Sequence, residues 1–308
     1  MTTALSLLLL AQLVALATVL TRLARGRHRL PWVKPRLAGE VQTTVSVVVP
    51  ARNEASRIGP CLDGLHAQGV ELVEVIVVDG SSTDATPAMV DGASALDRRV
   101  RRIAEPPRPP GAVGRPWAIA AGCRAARGEW VLILDADTTP RPGMVAGAVD
   151  AARSRGLDAV SFAPRIVAQG AGAQWLQPAF LTTLVYRFGP PGLPSSDPAR
   201  VMANGQCQLV RRSTLLEHGG YEVVASSYCD DVAIARHLAA HGARVGFLDA
   251  PDLLDVMMYP TARETWRAWP PSLVMRGITS RRARLADVLV LVLAQALPVP
   301  VLALLALF

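Results

Sequence analysis

The chain has 308 residues, of which 51% are hydrophobic and 19% charged, and it carries a formal net charge of +7. A mean hydropathy of +0.28 is high for a soluble enzyme, and the excess lies at the two ends. The basic residues flank apolar runs instead of forming a dispersed basic face, which argues against nucleic acid as a partner and for a membrane surface.

Ala4 to Leu20 is apolar apart from Ser6, Gln12 and Thr18. It is slightly short of the ~20 residues of a spanning helix, and Thr2, Thr3 and Thr21 extend it. Positive charge follows it at Arg22, Arg25, Arg27, Arg29, Lys34 and Arg36, the reverse of a secretory signal peptide. This predicts a transmembrane anchor over residues 1–21 and a basic juxtamembrane linker over 22–44. At the far end, residues 288–308 carry no charge, and Pro298 and Pro300 are kinks a membrane helix tolerates. The sequence stops inside that run, so the chain either ends in the bilayer or continues into further spans. Arg276, Arg281, Arg282 and Arg284 precede it. Both basic clusters face the middle of the chain. The positive-inside rule therefore places the middle in the cytoplasm, against the inner membrane, where the arginines lie on anionic headgroups.

Between the anchors, strand and helix signals alternate. Val45-Ser46-Val47-Val48-Val49, closed by Pro50, reads as a buried strand, followed by a helix from about Glu54 to Gln68. Val73 to Val78 is a second strand, ended by Asp79-Gly80-Ser81-Ser82, and Asp84 is placed to N-cap a helix toward Leu96. Val100 to Ala104 is a weaker strand. A Pro/Gly-rich loop over Pro106 to Gly114 leads to a helix over Trp117 to Ala126. Trp130 to Leu134 then delivers Asp135-Ala136-Asp137 at a strand end. The repetition predicts an α/β fold with a mostly parallel sheet, whose ligands bind beyond the carboxyl ends of the strands. Arg52-Asn53-Glu54, Asp79 and Asp135/Asp137 converge on three such ends. Further on, Gly205 to Val210 predicts a strand and Tyr228 to His241 a helix opening on Cys229-Asp230-Asp231. Cys61, Cys123, Cys207 and Cys229 form no C-x-x-C pair, so neither a zinc site nor a disulfide framework is expected.

Two carboxylates one residue apart at a strand end suit Mg²⁺ or Mn²⁺, with a substrate diphosphate completing the shell; the alternative is that they cap a turn. Asp79 reads equally as a partner for a base or ribose and as a turn residue. Asp230 and Asp231 lie where a helix dipole favours negative charge. Capping needs only one of them, and the other is free to act as a general base.

The order and spacing of these segments resemble family 2 glycosyltransferases of the GT-A fold. The matching residues are Val48-Val49-Pro50-Ala51-Arg52-Asn53-Glu54, then Val77 to Asp84, Gly114-Arg115-Pro116-Trp117-Ala118, and Gly128-Glu129-Trp130-Val131-Leu132 running into Asp135-Ala136-Asp137. Distal matches are Gly205-Gln206-Cys207, Arg211-Arg212, Gly219-Gly220-Tyr221 and Asp230-Asp231. The resemblance implies a catalytic domain over residues 45–260, with a nucleotide-sugar half (45–142) and an acceptor half (143–260). It implies a mixed, mostly parallel sheet flanked by helices. Pro50, Ala51, Arg52, Glu54, Asp79 and Ser81 would surround the nucleotide, with Arg115 on the phosphate side. Asp135 would sit at the ribose and diphosphate, and Asp137 with Asp135 would hold the divalent cation. Asp231 matches the catalytic base, with Asp230 where the family commonly has Glu. Gln206, Gly220, Tyr221, Trp266 and Trp269 would lie on the acceptor side.

The implied reaction is a single displacement that inverts the anomeric centre, moving a hexose from a nucleotide-sugar, UDP-linked by preference. Processive synthases carry Gln-x-x-Arg-Trp after the base, whereas here Arg263-Glu264-Thr265-Trp266-Arg267 stands. That counts against polymerisation. Met258-Tyr259-Pro260 followed by Trp266 to Gly277 is similar to bacterial carotenoid glycosyltransferases, with hopanoid-associated enzymes as neighbours. The acceptor implied is a hydroxyl or carboxyl of a membrane lipid. Residues 261–284 mix tryptophans with arginines as an interfacial segment, broken at Pro270-Pro271, and 285–308 form the second span. A nucleotidyltransferase would want a glycine-rich phosphate loop where Pro50-Ala51-Arg52-Asn53 stands.

Overall fold

The computed structural model describes residues 2–193, 197–269, 275 and 278–305. Its centre is a seven-stranded sheet. β1 (Val45–Ala51), β2 (Leu72–Asp79), β3 (Val100–Ala104) and β4 (Trp130–Leu134) are mutually parallel. β6 (Ala159–Ala163), β8 (Cys207–Arg211) and β9 (Val245–Asp249) complete it in the order β3-β2-β1-β4-β8-β6-β9. β8 runs antiparallel to both β4 and β6, and β9 parallel to β6. The order turns back between β1 and β4, and a ligand crevice opens at such a switch point. β5 (Thr138–Pro140), β10 (Leu254–Val256) and β7 (Arg165–Ile166) form a small second sheet beneath it. The architecture is the mixed α/β fold that the alternation predicted.

Two apolar layers sandwich the sheet, because successive residues of β1 point to opposite faces. Val45, Val47 and Val49 pack with α2 (Ile58–His66), α3 (Thr86–Leu96) and α5 (Met144–Ser154). Val48 faces α4 (Gly114–Ala125) and α8 (Asp230–Ala240). The approach of α4 is close: a Cβ on Gly122 would lie 2.3 Å from Val48 Cγ1. The four cysteines are buried and free, as expected of structural thiols.

Some boundaries differ from the sequence reading. The helix expected from Glu54 starts at Ile58, since Pro60 lacks the N–H an interior position needs and is tolerated only in the first turn. For the same reason α4 begins at Gly114, not Trp117, with Pro116 in its first turn. Asp84 stands one residue before the N-cap of α3, which is Ala85, and not at it; from there its Oδ1 accepts from the Thr86 amide (2.9 Å) and hydroxyl (2.6 Å).

At the sheet end remote from the crevice, a buried polar knot joins three elements. Ser46 Oγ donates to Glu74 Oε1 (2.7 Å) and accepts from the amides of Arg127 (3.1 Å) and Gly128 (2.8 Å). The Arg127 amide also donates to Glu74 (2.7 Å). Burial alone would raise the Glu74 carboxyl. The bonds from Ser46, the Arg127 amide and Arg101 outweigh it and hold the group below its ordinary value. Its contribution is therefore complete above the ordinary glutamate pKa and is lost as pH falls through the depressed one. Glu74→Ala is expected to cost about 2–3 kcal/mol through the orphaned donors, read as a fall in melting temperature. The exposed Arg127 guanidinium adds little to that figure.

Two helices are long and apolar enough to cross a membrane, Thr3–His28 and Arg281–Ala303, with 11% and 6% of their apolar stretches buried. The first comprises α1 (Thr2–Ala24) and a 3₁₀ turn; the second comprises α10 (Arg281–Leu291), a π turn and the first part of α11 (Pro298–Leu305). α6 (Ala171–Phe188) packs beside both. Asp287 on α10 ties them together, accepting from Arg22 of α1 (3.3 Å) and Arg187 of α6 (3.2 Å). α9 (Ala262–Ala268) is a shorter helix than the expected interfacial segment, capped by Thr261. The break expected at Pro270-Pro271 lies outside the described residues.

Candidate active site

The crevice beyond the carboxyl ends of β1, β2 and β4 is an open cleft of ≈ 350 Å³, within the range of small-molecule sites. Pro50, Ala51, Arg52 and Glu54 line it from β1 and its following turn, and Asp135, Ala136 and Asp137 from β4. Gly114 and Arg115 line it from the first turn of α4, whose N–H groups carry no side-chain cap. A helix start of this kind favours anions.

The two loops on the nucleotide side are stitched to each other. The Asn53 amide donates to Ser82 Oγ (3.0 Å), and Asn53 Oδ1 accepts from the Thr83 amide (2.8 Å). The Glu54 amide donates to Thr86 Oγ1 (2.8 Å). Asn53 takes a left-handed conformation, with φ of 57°, which asparagine tolerates better than most residues. Asp79 Oδ1 accepts from the Ser82 amide (3.1 Å), so the turn half of its two readings is realised. Asp79 and Ser81 are not among the residues lining the cleft; Gly80 is, with Glu105 and Arg108, which the sequence reading missed. Arg108 pairs with Glu105 at 2.9 Å, and the exposed Arg52 guanidinium makes no hydrogen bond among the described residues.

The acidic centre is where the arrangement becomes chemical. Arg115 donates to Asp135 Oδ1 (2.7 and 3.1 Å), to the Gly205 carbonyl (2.7 Å) and to Asp230 Oδ2. Asp230 also accepts from the buried Tyr221 hydroxyl (2.8 Å). Gln208 accepts from the same hydroxyl (3.3 Å) and donates to the Asp231 carbonyl (3.1 Å), fixing the start of α8. Its signal was a lone polar side chain inside an apolar strand, since a buried polar group has to be paired. Asp231 is left uncommitted: among the described residues its carboxylate accepts only from the next backbone amide, Val232 (2.8 Å). Burial, then the neighbouring Asp230, push its carboxyl up to about 6 against the pull of Arg115. The pair that sequence left open is thus divided, with Asp230 paired and Asp231 free.

Asp137 is the other uncompensated carboxylate. Its Oδ1 is buried without a hydrogen-bond partner among the described residues. Burial and then Asp135 push its carboxyl up to about 7. A buried, unanswered carboxylate oxygen beside a second carboxylate is a cation's donor set. Among the described residues no three His, Cys, Asp or Glu side chains cluster as a complete metal site. Asp137 and Asp135 therefore fit a cation that takes its remaining ligands from a substrate's phosphates and water.

Several residues expected on the acceptor side stand elsewhere. Tyr221 is fully buried behind Asp230 and cannot meet a substrate. Gly220 is buried at a turn with φ of 72°. Trp269 is 6% exposed, its ring T-shaped against Phe180 at 6.0 Å and tilted against Tyr259 at 6.1 Å; it seats α9 on α6. Trp266 remains 64% exposed and stands 6.0 Å from Phe180. The Met257 amide reaches the Asp137 carbonyl at 3.4 Å, so the segment leading to Tyr259 runs beside the acidic centre, and Asp137 acts on the Tyr259 hydroxyl. Gln206 is 5% exposed, with neither side-chain atom bonded, and its carbonyl accepts from the Asp135 amide (3.1 Å).

Comparison with known proteins agrees with this geometry. The chain is 42% identical over 113 residues to a succinoglycan biosynthesis protein of Rhizobium meliloti, covering 36% of this chain and 30% of that one. It is 34% identical over 119 residues to a dolichyl-phosphate beta-glucosyltransferase of Trichomonas vaginalis, covering 36% and 34%. Each match thus spans about a third of the relative's length. A mannosyltransferase of Pyrobaculum calidifontis, solved with GDP-mannose and Mn²⁺, shares the fold at a TM-score of 0.62 and 23% identity, covering 98% of this chain and 90% of that one. The family profile described as Glycosyl transferase family 2 matches residues 46–219, more than half of the sequence. With the crevice and the Asp135/Asp137 pair lying within that span, the chain belongs to glycosyl transferase family 2.

Proposed function

We propose that this chain is an inverting glycosyltransferase that moves a hexose from a nucleotide-sugar, a UDP-sugar by preference, to a lipid acceptor at the cytoplasmic face of the inner membrane. The single observation that carries the reading is the division of labour at α8. Asp230 is locked by Arg115 and Tyr221, while Asp231 beside it is free and has a raised pKa. A general base needs a proton-accepting carboxylate that is not already neutralised; Asp231 is half-buried and adjoins the cleft through its neighbour Asp230 and Arg115 instead of lining it.

In this reading Pro50, Arg52 and Glu54 hold the nucleotide, and the uncapped start of α4 receives the diphosphate. Asp137, with the oxygen of Asp135 that Arg115 does not occupy, would hold Mg²⁺ or Mn²⁺. The cation, when bound, neutralises charge on the departing diphosphate. Asp231 takes the proton of the attacking hydroxyl, and Arg115 keeps Asp230 from competing for it. The solved mannosyltransferase carrying GDP-mannose and Mn²⁺ supports the donor class and the cation.

Two observations support a membrane acceptor. Two apolar helices leave most of their surface without protein cover, as bilayer spans do. Tyr259, on the segment similar to carotenoid glycosyltransferases, lies within the field of Asp137 and Asp135 and packs on Trp269 of the aromatic group that includes Trp266. The relative named for dolichyl phosphate also points to a lipid, though of another class. The direct test incubates membranes carrying the chain with radiolabelled UDP-glucose or GDP-mannose and follows label into solvent-extractable lipid. Label confined to water-soluble or polymeric product would refute the lipid assignment.

Trp266→Ala is expected to raise KM for the lipid several-fold while leaving donor hydrolysis in water unchanged. The exposed ring contributes apolar contact worth about 1–2 kcal/mol. Equal loss of both activities would instead place Trp266 in the donor site.

A further inference from the structure

A second cavity lies away from the catalytic cleft and shares none of its lining residues. It opens between the basic end of α1, the last turn of α6, the middle of α8 and the start of α10, with a volume of ≈ 480 Å³. Five arginines line it, Arg22, Arg25, Arg187, Arg200 and Arg236, against one carboxylate, Asp287. Asp287 answers Arg22 and Arg187. The other three are differently placed. Arg236 is half-buried, and among the described residues its guanidinium donates only to the backbone carbonyls of Val201 and Ile278, each at 3.0 Å. Asp197 faces it, but burial outweighs that field and draws the guanidinium below its ordinary value. Arg25 and Arg200 are exposed, and their guanidinium groups make no hydrogen bond among the described residues.

The position of this cavity limits what it can bind. Its α1 wall runs from Thr18 and Thr21 to Arg25, where an apolar helix turns basic, and its α10 wall is the basic start of the second apolar helix. A cavity with an excess of guanidinium groups, at the level where two such helices leave the bilayer, matches the headgroup depth of an anionic lipid. Guanidinium forks suit phosphate oxygens, and the apolar faces of α1 and α10 would receive the acyl chains.

We infer that this cavity binds the phosphate of an anionic phospholipid headgroup, seating the catalytic domain on the membrane at a fixed height. Arg236 belongs to α8, the helix whose first turn carries Asp231, so the lipid would be gripped by the element that positions the free carboxylate. The inference does not depend on which donor or acceptor the enzyme uses.

The test uses the full chain in nanodiscs of phosphatidylcholine alone or mixed with phosphatidylglycerol, followed by gentle release into detergent and native mass spectrometry. Wild type is expected to retain phosphatidylglycerol in preference to phosphatidylcholine. Arg25→Gln and Arg200→Gln, both at exposed positions that leave the core intact, should each weaken retention about five-fold. Arg282→Gln, at an exposed position on the same basic helix start but outside the cavity, should leave it unchanged. Equal loss in all three variants would mean diffuse surface attraction and would overturn the site. Displacement of the lipid by inorganic phosphate as readily as by a soluble phosphatidylglycerol would overturn the lipid assignment in favour of a free anion.

Discussion

Asp231→Asn is expected to reduce sugar transfer about 10²–10⁴-fold, the range of a positioned general base, while donor binding survives. The folded chain should tolerate the change well. Asp231 is ionised at neutral pH only against burial and the charge of Asp230, so removing the charge leaves the melting temperature equal or higher. Asp230→Asn should behave in the opposite way. It removes the charge that answers the buried Arg115 and leaves a neutral amide oxygen to serve both Arg115 and Tyr221, so stability and activity fall together. Circular-dichroism melts beside transfer rates separate the two. If Asp230→Asn proves the stable but inactive variant, the base has been misassigned. The wild-type rate should also rise with pH through about pH 6, the raised Asp231 value, because the base works only when deprotonated. With Mn²⁺ or Mg²⁺ saturating at every pH, that acid limb should be absent from the residual activity of Asp231→Asn.

Asp137→Ala is expected to abolish activation by Mn²⁺ or Mg²⁺ and to lower transfer at least about 10²–10³-fold, the several kcal/mol a catalytic cation supplies. The buried, unpartnered Oδ1 is the physical reason: without a cation the group is a liability to the fold. A binding measurement independent of turnover follows from linkage. UDP with Mn²⁺ should raise the melting temperature of wild type and fail to raise that of Asp137→Ala. Chelation of wild type should reproduce the variant's behaviour. Unaltered stabilisation by UDP and Mn²⁺ in Asp137→Ala would move the cation elsewhere. Since ligand carboxylates must be deprotonated, and burial with Asp135 pushes Asp137 up to about 7, cation affinity should strengthen as pH rises through neutrality.

Much of this site could be read before any tertiary structure. Val45 to Pro50, Val73 to Asp79 and Trp130 to Asp137 announce strands that end in polar groups, and parallel strands bring such ends to one edge. The terminal helices were equally legible, since apolar length and flanking arginines are properties of the chain alone. What sequence could not rank were residues of one chemical type standing side by side. Asp230 and Asp231 differ only in where their side chains leave α8, and the partners that distinguish them, Arg115 and Tyr221, come from distant segments. The resemblance puts Tyr221 and Trp269 on the acceptor side, because a motif match carries no information on packing; the fold buries both.

The acidic pair and the basic cavity show the same boundary. The spacing of Asp135 and Asp137 follows from one strand end, so local geometry along the chain determined it. The arginines of the cavity lie at 22, 25, 187, 200 and 236, where no sequence window contains them together. Only the packing of α1, α6, α8 and α10 decided that they meet, because charge is a property of each residue while a binding site is a property of the distances between them.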